Sequence, residues 1–437
     1  MRRAPARPFG RRRLSQGGGN ATTSLGLNMT TLKLDAIQVL ALSGFGVAIG
    51  HYFKRWFPFL DKVNVPASVA GGLFYSVVIL ALRDRVINFE MDLVLQKVLM
   101  IAFFTTVGMG ASLRLLKVGG KLMLVFFGLS TLGVLMENIL GVGMAKLLGI
   151  NPLIGLVAGS VTMAGGPATA LAFGGTFEEW GVQSATVLGV AAAMAGIVAG
   201  GLLGGFVGGG IIDSRKLKPV TGVKGGSGAA IALQEESVAH EERDSANESI
   251  MVNALAIAVA MGIGTLVSMG LTAGAASFGI KLILPEYIGA MIAAAVIRNF
   301  DDHFRFLRIS QERVDELGNV SLNVFIVMAL LTLRLWELFN LALPVLVILV
   351  AQVLLVWAMA RFLVYPFMGK NYDGAVASGG FCGFMLGTSA NALSSMEVLT
   401  SKYGPSPRSV IVVSLTGAFL IDFTNAAIIT AMANWLR

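Results

Sequence analysis

The sequence predicts an all-α polytopic membrane protein built as two inverted-topology repeats of five transmembrane helices, each repeat carrying a re-entrant hairpin. Three observations carry that expectation. Of 437 residues, 55% are hydrophobic and 13% charged, with a mean hydropathy of +0.76, which leaves too little charge to cover a water-soluble globule of this length. Apolar stretches of membrane-spanning length recur along the chain, separated by short polar turns. Two glycine-rich, polar runs, Ala158 to Ala170 and Ser378 to Asn391, interrupt those stretches and align without a gap, Gly159 on Gly380 and Gly166 on Gly387. Non-helical backbone is tolerated at membrane depth only where protein buries it or where it lines a wet cavity, so paired breaks in matching halves point to a binding site.

In chain order, residues 1–33 read as a disordered basic tail. It holds Arg2, Arg3, Arg7, Arg11, Arg12 and Arg13, then Gly17-Gly18-Gly19. It has no apolar core of a secretory signal and nothing with which to bury a core. Residues 1–28 are expected outside the folded unit, with Met29 as an alternative start. The first repeat, 34–212, follows, with helices over about 35–53, 65–82, 93–113 and 121–147, a hairpin over about 150–174, and a helix over 185–212. Each helix approaches the length that about 30 Å of hydrocarbon demands. Residues 213–250, with Gly225-Gly226-Ser227-Gly228 ahead of Glu235, Glu236, Glu241, Glu242 and Asp244, read as a solvated linker. The second repeat, 251–437, returns the same order: helices at about 251–271, 279–298, 319–336 and 341–368, a hairpin at about 372–398, and a last helix at 407–433. Ser112-Leu-Arg-Leu-Leu-Lys117 is echoed by Thr332-Leu-Arg-Leu-Trp-Glu337, and Val65-Pro66 by Leu284-Pro285.

Five spans plus a hairpin that leaves by the side it entered invert the second repeat relative to the first. Basic residues on the linker's side, among them Lys54, Arg55, Lys117, Arg215, Lys216, Arg305, Arg308 and Lys370, outnumber those opposite, such as Arg83, Arg85 and Lys146. The positive-inside rule then puts the linker in the cytoplasm and both termini outside. The net charge of +8 lies in the tail and at helix ends, so it reports orientation and not a nucleic-acid partner. Cys382 is the one cysteine and His51, His240 and His303 are scattered, so neither a disulfide nor a His/Cys metal centre is expected. Trp180, Trp336 and Trp435 suit the membrane interface. No paired-aspartate motif, HExxH or Ser-His pair suggests an intramembrane enzyme. A channel is disfavoured by two non-identical hairpins in one inverted repeat.

The broken runs suit an anion. Glycine lets unpaired backbone N–H groups approach a ligand closely, and a helix restarting after each break offers its positive end. Gly165, Gly166 and Thr169 at the first tip, and Gly387, Thr388, Ser389 and Asn391 at the second, are the candidate binding residues. The competing reading of these small residues is close helix packing. Arg408, after Ser406-Pro407 at a helix start, offers a bidentate clamp for a carboxylate or, equally, a cytoplasmic topology anchor. Asp422 lies inside the last apolar stretch with Asn425 three residues on, hence on one helical face. A membrane carboxylate is a functional hypothesis by default, and with Asn425 and freed hairpin carbonyls it offers the hard oxygens of a cation site. The alternative is a structural ion pair or a protonated packing carboxyl. Glu137 and Asn138 offer the same groups but, as neighbours, do not share a face, so at most one is expected to reach a common site; Asn138 joins the candidate set.

With these residues on the page, the chain from about Met29 to Trp435 resembles the bacterial sodium/glutamate symporter family. The resemblance rests on Gly159-Ser-Val-Thr-Met-Ala-Gly-Gly166, Tyr403-Gly-Pro-Ser-Pro-Arg408 and Gly417-Ala-Phe-Leu-Ile-Asp-Phe-Thr-Asn425. It implies ten helices, two re-entrant hairpins, a homodimer, and sodium-coupled uptake of glutamate by an elevator-like movement, with sodium as coupling ion and no cofactor. Where that family usually shows Gly-Gly-His-Gly-Thr, this chain has Gly165-Gly166-Pro167-Ala168-Thr169, which removes a titratable donor and a flexible glycine. A proton-coupled carrier, or one selective for another carboxylate or amino acid, is the alternative within transport.

Overall fold

The computed structural model describes residues 31–62, 64–83, 85–219, 250–279, 282–334 and 341–437. The expected tail up to residue 30, most of the linker and Trp336 lie outside the described residues. The first helix, α1 (Ala36–Trp56), starts on a reciprocal cap: the Asp35 carboxylate accepts the Gln38 backbone N–H at 2.8 Å, and the Gln38 side-chain oxygen accepts that of Asp35 at 3.0 Å. Two orphan donors are thereby satisfied. Lys54 and Arg55 sit in its last turn, where a cation suits the helix dipole. Ahead of it, strand β1 (Thr31–Leu34) pairs in parallel with β2 (Asn88–Met91), clipped by Lys33 to Glu90 at 2.9 Å. Thr31 to Lys33 therefore belong to the ordered fold and not to a disordered tail. Four residues are too few for an alternating pattern to be read.

Between and after these lie α2 (Pro58–Lys62), α3 (Ala67–Leu82), α4 (Val94–Gly110) and α5 (Leu113–Leu147). α5 is broken at Gly120, whose φ of 63° is open to glycine at little cost, so its apolar span begins there. Then come α6 (Pro152–Leu156), a π-helical turn (Val157–Val161), α7 (Gly166–Glu179) and α8 (Ala185–Arg215). Past the linker follow α9 (Ile250–Ser277), α10 (Glu286–Phe304), α11 (Gln311–Leu331) and α12 (Ala342–Met359), the last extended to Phe367 through a π turn. The chain ends with α13 (Tyr372–Met385), α14 (Ser389–Tyr403), α15 (Pro407–Leu415), a third π turn (Thr416–Leu420) and α16 (Ile421–Leu436). α11 starts well before the expected 319, because Glu312, Arg313, Asp315 and Glu316 read as loop in the sequence yet form its first turns.

Among the described residues six helices are long and apolar enough to cross a membrane: α1, α5 from Gly120, α8, α9, α11 and α12 through Phe367. α3 and α4, at 16 and 17 residues, are apolar but shorter. The fold is that of a polytopic membrane protein. Its helices pack in two groups. α1, α3, α4, α9, α10 and α11 contact chiefly one another, and α5 to α8 with α12 to α16 form the second set; contacts between the sets are sparse. Their shared surface is mostly apolar, with Val69, Phe325 and Leu330 facing Leu171, Val187 and Val190, and Tyr287 packed edge-on against Phe173. The two glycine-rich runs both fall in the second group.

Candidate functional site

The first broken segment enters through α6, whose Asn151 cap accepts the Leu153 N–H at 2.9 Å. It comes so close to α5 that a Cβ on Gly141 would stand 2.1 Å from the Gly155 carbonyl oxygen, and one on Gly155 2.3 Å from that of Gly141. Only glycine fits on both sides of that crossing. The π turn follows, with Gly159 at φ −97° and ψ −138°. Such a turn frees backbone groups from regular pairing and recurs at functional sites. The chain reverses at 162–165 and restarts as α7 from Gly166, whose φ is +64°. The second segment is more regular: α13 begins on Asn371, which accepts the Gly374 N–H at 2.9 Å, and the break before α14 is confined to Leu386, Gly387 and Thr388.

The two tips meet. A Cβ on Gly166 would stand 3.3 Å from Thr388 Cγ2 and 3.5 Å from the Gly387 carbonyl oxygen. Five of the expected binding residues therefore cluster there: Gly165, Gly166 and Thr169, which packs on Gly165, from one side, and Gly387 and Thr388 from the other. Ser389 turns toward the third π turn, its Oγ 3.1 Å from a Cβ placed on Gly417. Asn391 is fully buried and donates through Nδ2 to the Ile197 carbonyl of α8 at 2.7 Å, while the Thr388 hydroxyl donates to its Oδ1 at 3.2 Å. Both tips carry helix starts, α7 and α14, whose first N–H groups have no partner within the helix. Such an arrangement is chemically suited to an anion.

Arg408 is not brought to the tips. It is exposed in the first turn of α15, in an open cleft of about 500 Å³ shared with Lys121, Phe367 and Ile411. Nine residues of helix, about 14 Å at the α-helical rise, separate it from Gly417.

Two of the expected ion ligands do converge. Asn138 Oδ1 accepts the Ser160 N–H at 3.0 Å, the Ser160 hydroxyl donates to Asn425 Oδ1 at 2.6 Å, and Asn425 Nδ2 donates to the Ser160 carbonyl at 3.1 Å. All three are buried. Ser160 is the residue that sequence reasoning passed over, since a serine in a glycine-rich run reads as a packing residue. Asp422 opens α16 directly after the π turn and is half-buried, one helical turn from Asn425. Gln352, unremarked in a long apolar helix, donates at 2.8 Å to the Glu137 carbonyl. Among the described residues no three His, Cys, Asp or Glu gather, so a cation here would be held by one carboxylate with amide and backbone oxygens.

A family model described as sodium/glutamate symporter matches residues 32–405. The chain is 35% identical over 404 residues to the sodium/glutamate symporter of Escherichia coli K12, covering 91% of this chain and 96% of the relative, with the same figures for that of Shigella flexneri. It is 34% identical over 408 residues to that of Haemophilus influenzae, covering 90% of this chain and 95% of the relative. The chain thus belongs to the sodium/glutamate symporter family, a family of transporters and not of enzymes.

Proposed function

We propose that this protein takes up glutamate, or a related small dicarboxylate, together with sodium across a bacterial inner membrane. The substrate is held between two re-entrant hairpins, α6–α7 and α13–α14, by Gly165, Gly166, Thr169, Gly387, Thr388, Ser389 and Asn391. The observation that carries this reading is the contact of Gly166 with Gly387 and Thr388, because a binding site shared by two halves of a chain requires their breaks to converge. Arg408 and Lys121 give the neighbouring cleft a positive character that suits a dicarboxylate. Asp422, Asn425 and Asn138 supply the first sodium site, with Ser160 fixing the two amides. The division of the helices into two sparsely joined groups with a mostly apolar seam supports an elevator-like movement of the hairpin-bearing group, within a homodimer whose linker faces the cytoplasm. Two helical groups with few bonds between them slide at lower cost than one interlocked bundle.

The test is uptake of labelled glutamate into proteoliposomes under an imposed inward sodium gradient. Accumulation that collapses when potassium replaces sodium is the expected result. Equal uptake in both, or uptake driven by a proton gradient alone, would overturn the coupling. Counterflow against a panel of acids fixes selectivity, which the Pro167-Ala168 pair at the first tip makes worth measuring for this chain.

A further inference from the structure

Glu137 has no role in the arrangement above, yet it is the one carboxylate among the described residues that is fully buried with both oxygens lacking any hydrogen-bond partner. The sequence weighed it against Asn138 as a rival for one site. The geometry separates them: Asn138 turns to Ser160, and Glu137 occupies a different stripe of α5. On that stripe it stands between Gly133 and Gly141, one turn to either side. A Cβ on Gly133 would lie 2.8 Å from Met385 Cε and 3.3 Å from the Phe381 ring, both near the end of α13 at the second tip. A Cβ on Gly141 would lie against Gly155 of the first segment and 3.3 Å from Gln352 Nε2. Glu137 is thus placed where both broken segments and α12 press on α5.

Among the described residues no ion pair reaches it, and acceptors without partners lie on α12 and along the same stripe of α5. Gln352 spends its amide N–H on the Glu137 carbonyl and keeps a buried Oε1 with no partner. Ser130, two turns earlier on the same stripe, has a buried hydroxyl likewise without partner. Buried charges are paired or coordinate an ion, and carboxylate, amide and hydroxyl oxygens are the donor set of a hard cation. We propose that Glu137 holds a second sodium ion, with the free amide oxygen of Gln352 in its shell, at a site distinct from Asp422 and wedged between the two hairpins. Filling it would brace both segments against α5, which ties ion binding to the closed arrangement of the tips. This rests on the reading of the protein as a sodium-coupled transporter.

The test uses the purified full chain with Glu137→Gln, and sodium chloride titrated against choline chloride as the probe. In wild type, thermal unfolding in detergent shifts upward with sodium. Glu137→Gln is expected to melt above wild type in choline, since the uncompensated charge is gone, and to need at least about tenfold more sodium for half its remaining shift. In proteoliposomes its sodium-activation curve should lose about one unit of Hill slope. A wild type indifferent to sodium would overturn the transport reading itself. A sodium-responsive wild type with an unchanged Glu137→Gln response would overturn this site alone, and so would a variant that loses only the pH dependence of uptake, because Glu137 would then carry a proton. Should Glu137→Gln not be recovered folded, Glu137→Asp keeps the charge but withdraws it by one methylene, and an unaltered sodium titration in that variant is equally contrary.

Discussion

The two broken segments solve one problem in different ways. In the first, the irregularity is inside the helix: a π turn with Gly159 off helical geometry, and a left-handed Gly166 at the restart. It is held by side chains from two other helices, Asn138 of α5 and Asn425 of α16, both bound to Ser160. In the second, both legs are regular α-helix, the break is confined to Leu386–Thr388, and the tip is tied by one side-chain bond, Asn391 to the Ile197 carbonyl. A backbone that abandons helical pairing must recover its hydrogen bonds elsewhere, so the irregular turn is pinned by two other helices, whereas the second segment is fastened at its entry, where Ser406 donates to Asp373 and Tyr372 to the Gly404 carbonyl, and at its tip by Asn391. The first therefore tolerates change least, and the second has more freedom at its tip.

The sharpest way to break this comparison is to place a side chain at each tip. Gly166→Val puts a branched residue at a positive φ, a strain of about 1–3 kcal/mol, with its Cβ already 3.3 Å from Thr388. Initial glutamate uptake, normalised to transporter in the membrane, is expected to fall by more than about tenfold. Gly387→Ala carries no positive-φ strain; its Cβ would stand 2.8 Å from the Asn391 amide nitrogen and loosen that group's bond to Ile197, and it should lose less. A larger loss at Gly387 than at Gly166 would reverse the ranking.

A smaller effect separates the anchors. Ser160→Ala leaves Asn425 Oδ1 buried without its donor, at about 1–3 kcal/mol. Asn391→Ala removes a bond to a carbonyl inside α8, a carbonyl that keeps its place in the helical ladder, and should cost nearer the ordinary ~0.5–1.5 kcal/mol. Thermal unfolding without sodium or glutamate checks both; equal losses would mean that the segments are anchored alike. The smallest effect is at Arg408. Standing apart from the tips in an open cleft with Lys121, it should influence substrate through screened charge. Arg408→Gln is expected to raise KM by less than about threefold, and by less still at high salt. A loss as deep as that of Gly166→Val would place the guanidinium on the substrate.

Much of this was legible before any coordinates. Helix positions followed from apolar length, the two breaks from glycine and polar content, and Asn138 and Asn425 from their polarity in apolar helices. What escaped was whatever depends on a partner distant in sequence. β1 and β2 are four-residue strands whose pairing is a tertiary event. Gln311 to Leu317 of α11 carries charge enough to read as loop, although a helix emerging from the membrane carries it readily. Ser160 and Gln352 look inert in the sequence and gain meaning only when α5 is set against the π turn and α12. Glu137 and Asn138 lie on different faces of α5, and only the contact of Asn138 with Ser160 shows which neighbour its face meets. Arg408 stood out by charge and motif, whereas its distance from the tips is a property of helix length.

The central claim, that the two tips form one substrate site, is tested most directly by cross-linking in the membrane. With the buried native Cys382 replaced by alanine, a protein carrying Ala168→Cys and Ser389→Cys is treated with a short bifunctional thiol reagent, with and without sodium and glutamate. The account predicts an intramolecular cross-link that forms readily without substrate and is slowed when sodium and glutamate are present together. Failure of the pair to cross-link while each cysteine alone reacts with a monofunctional reagent would contradict it.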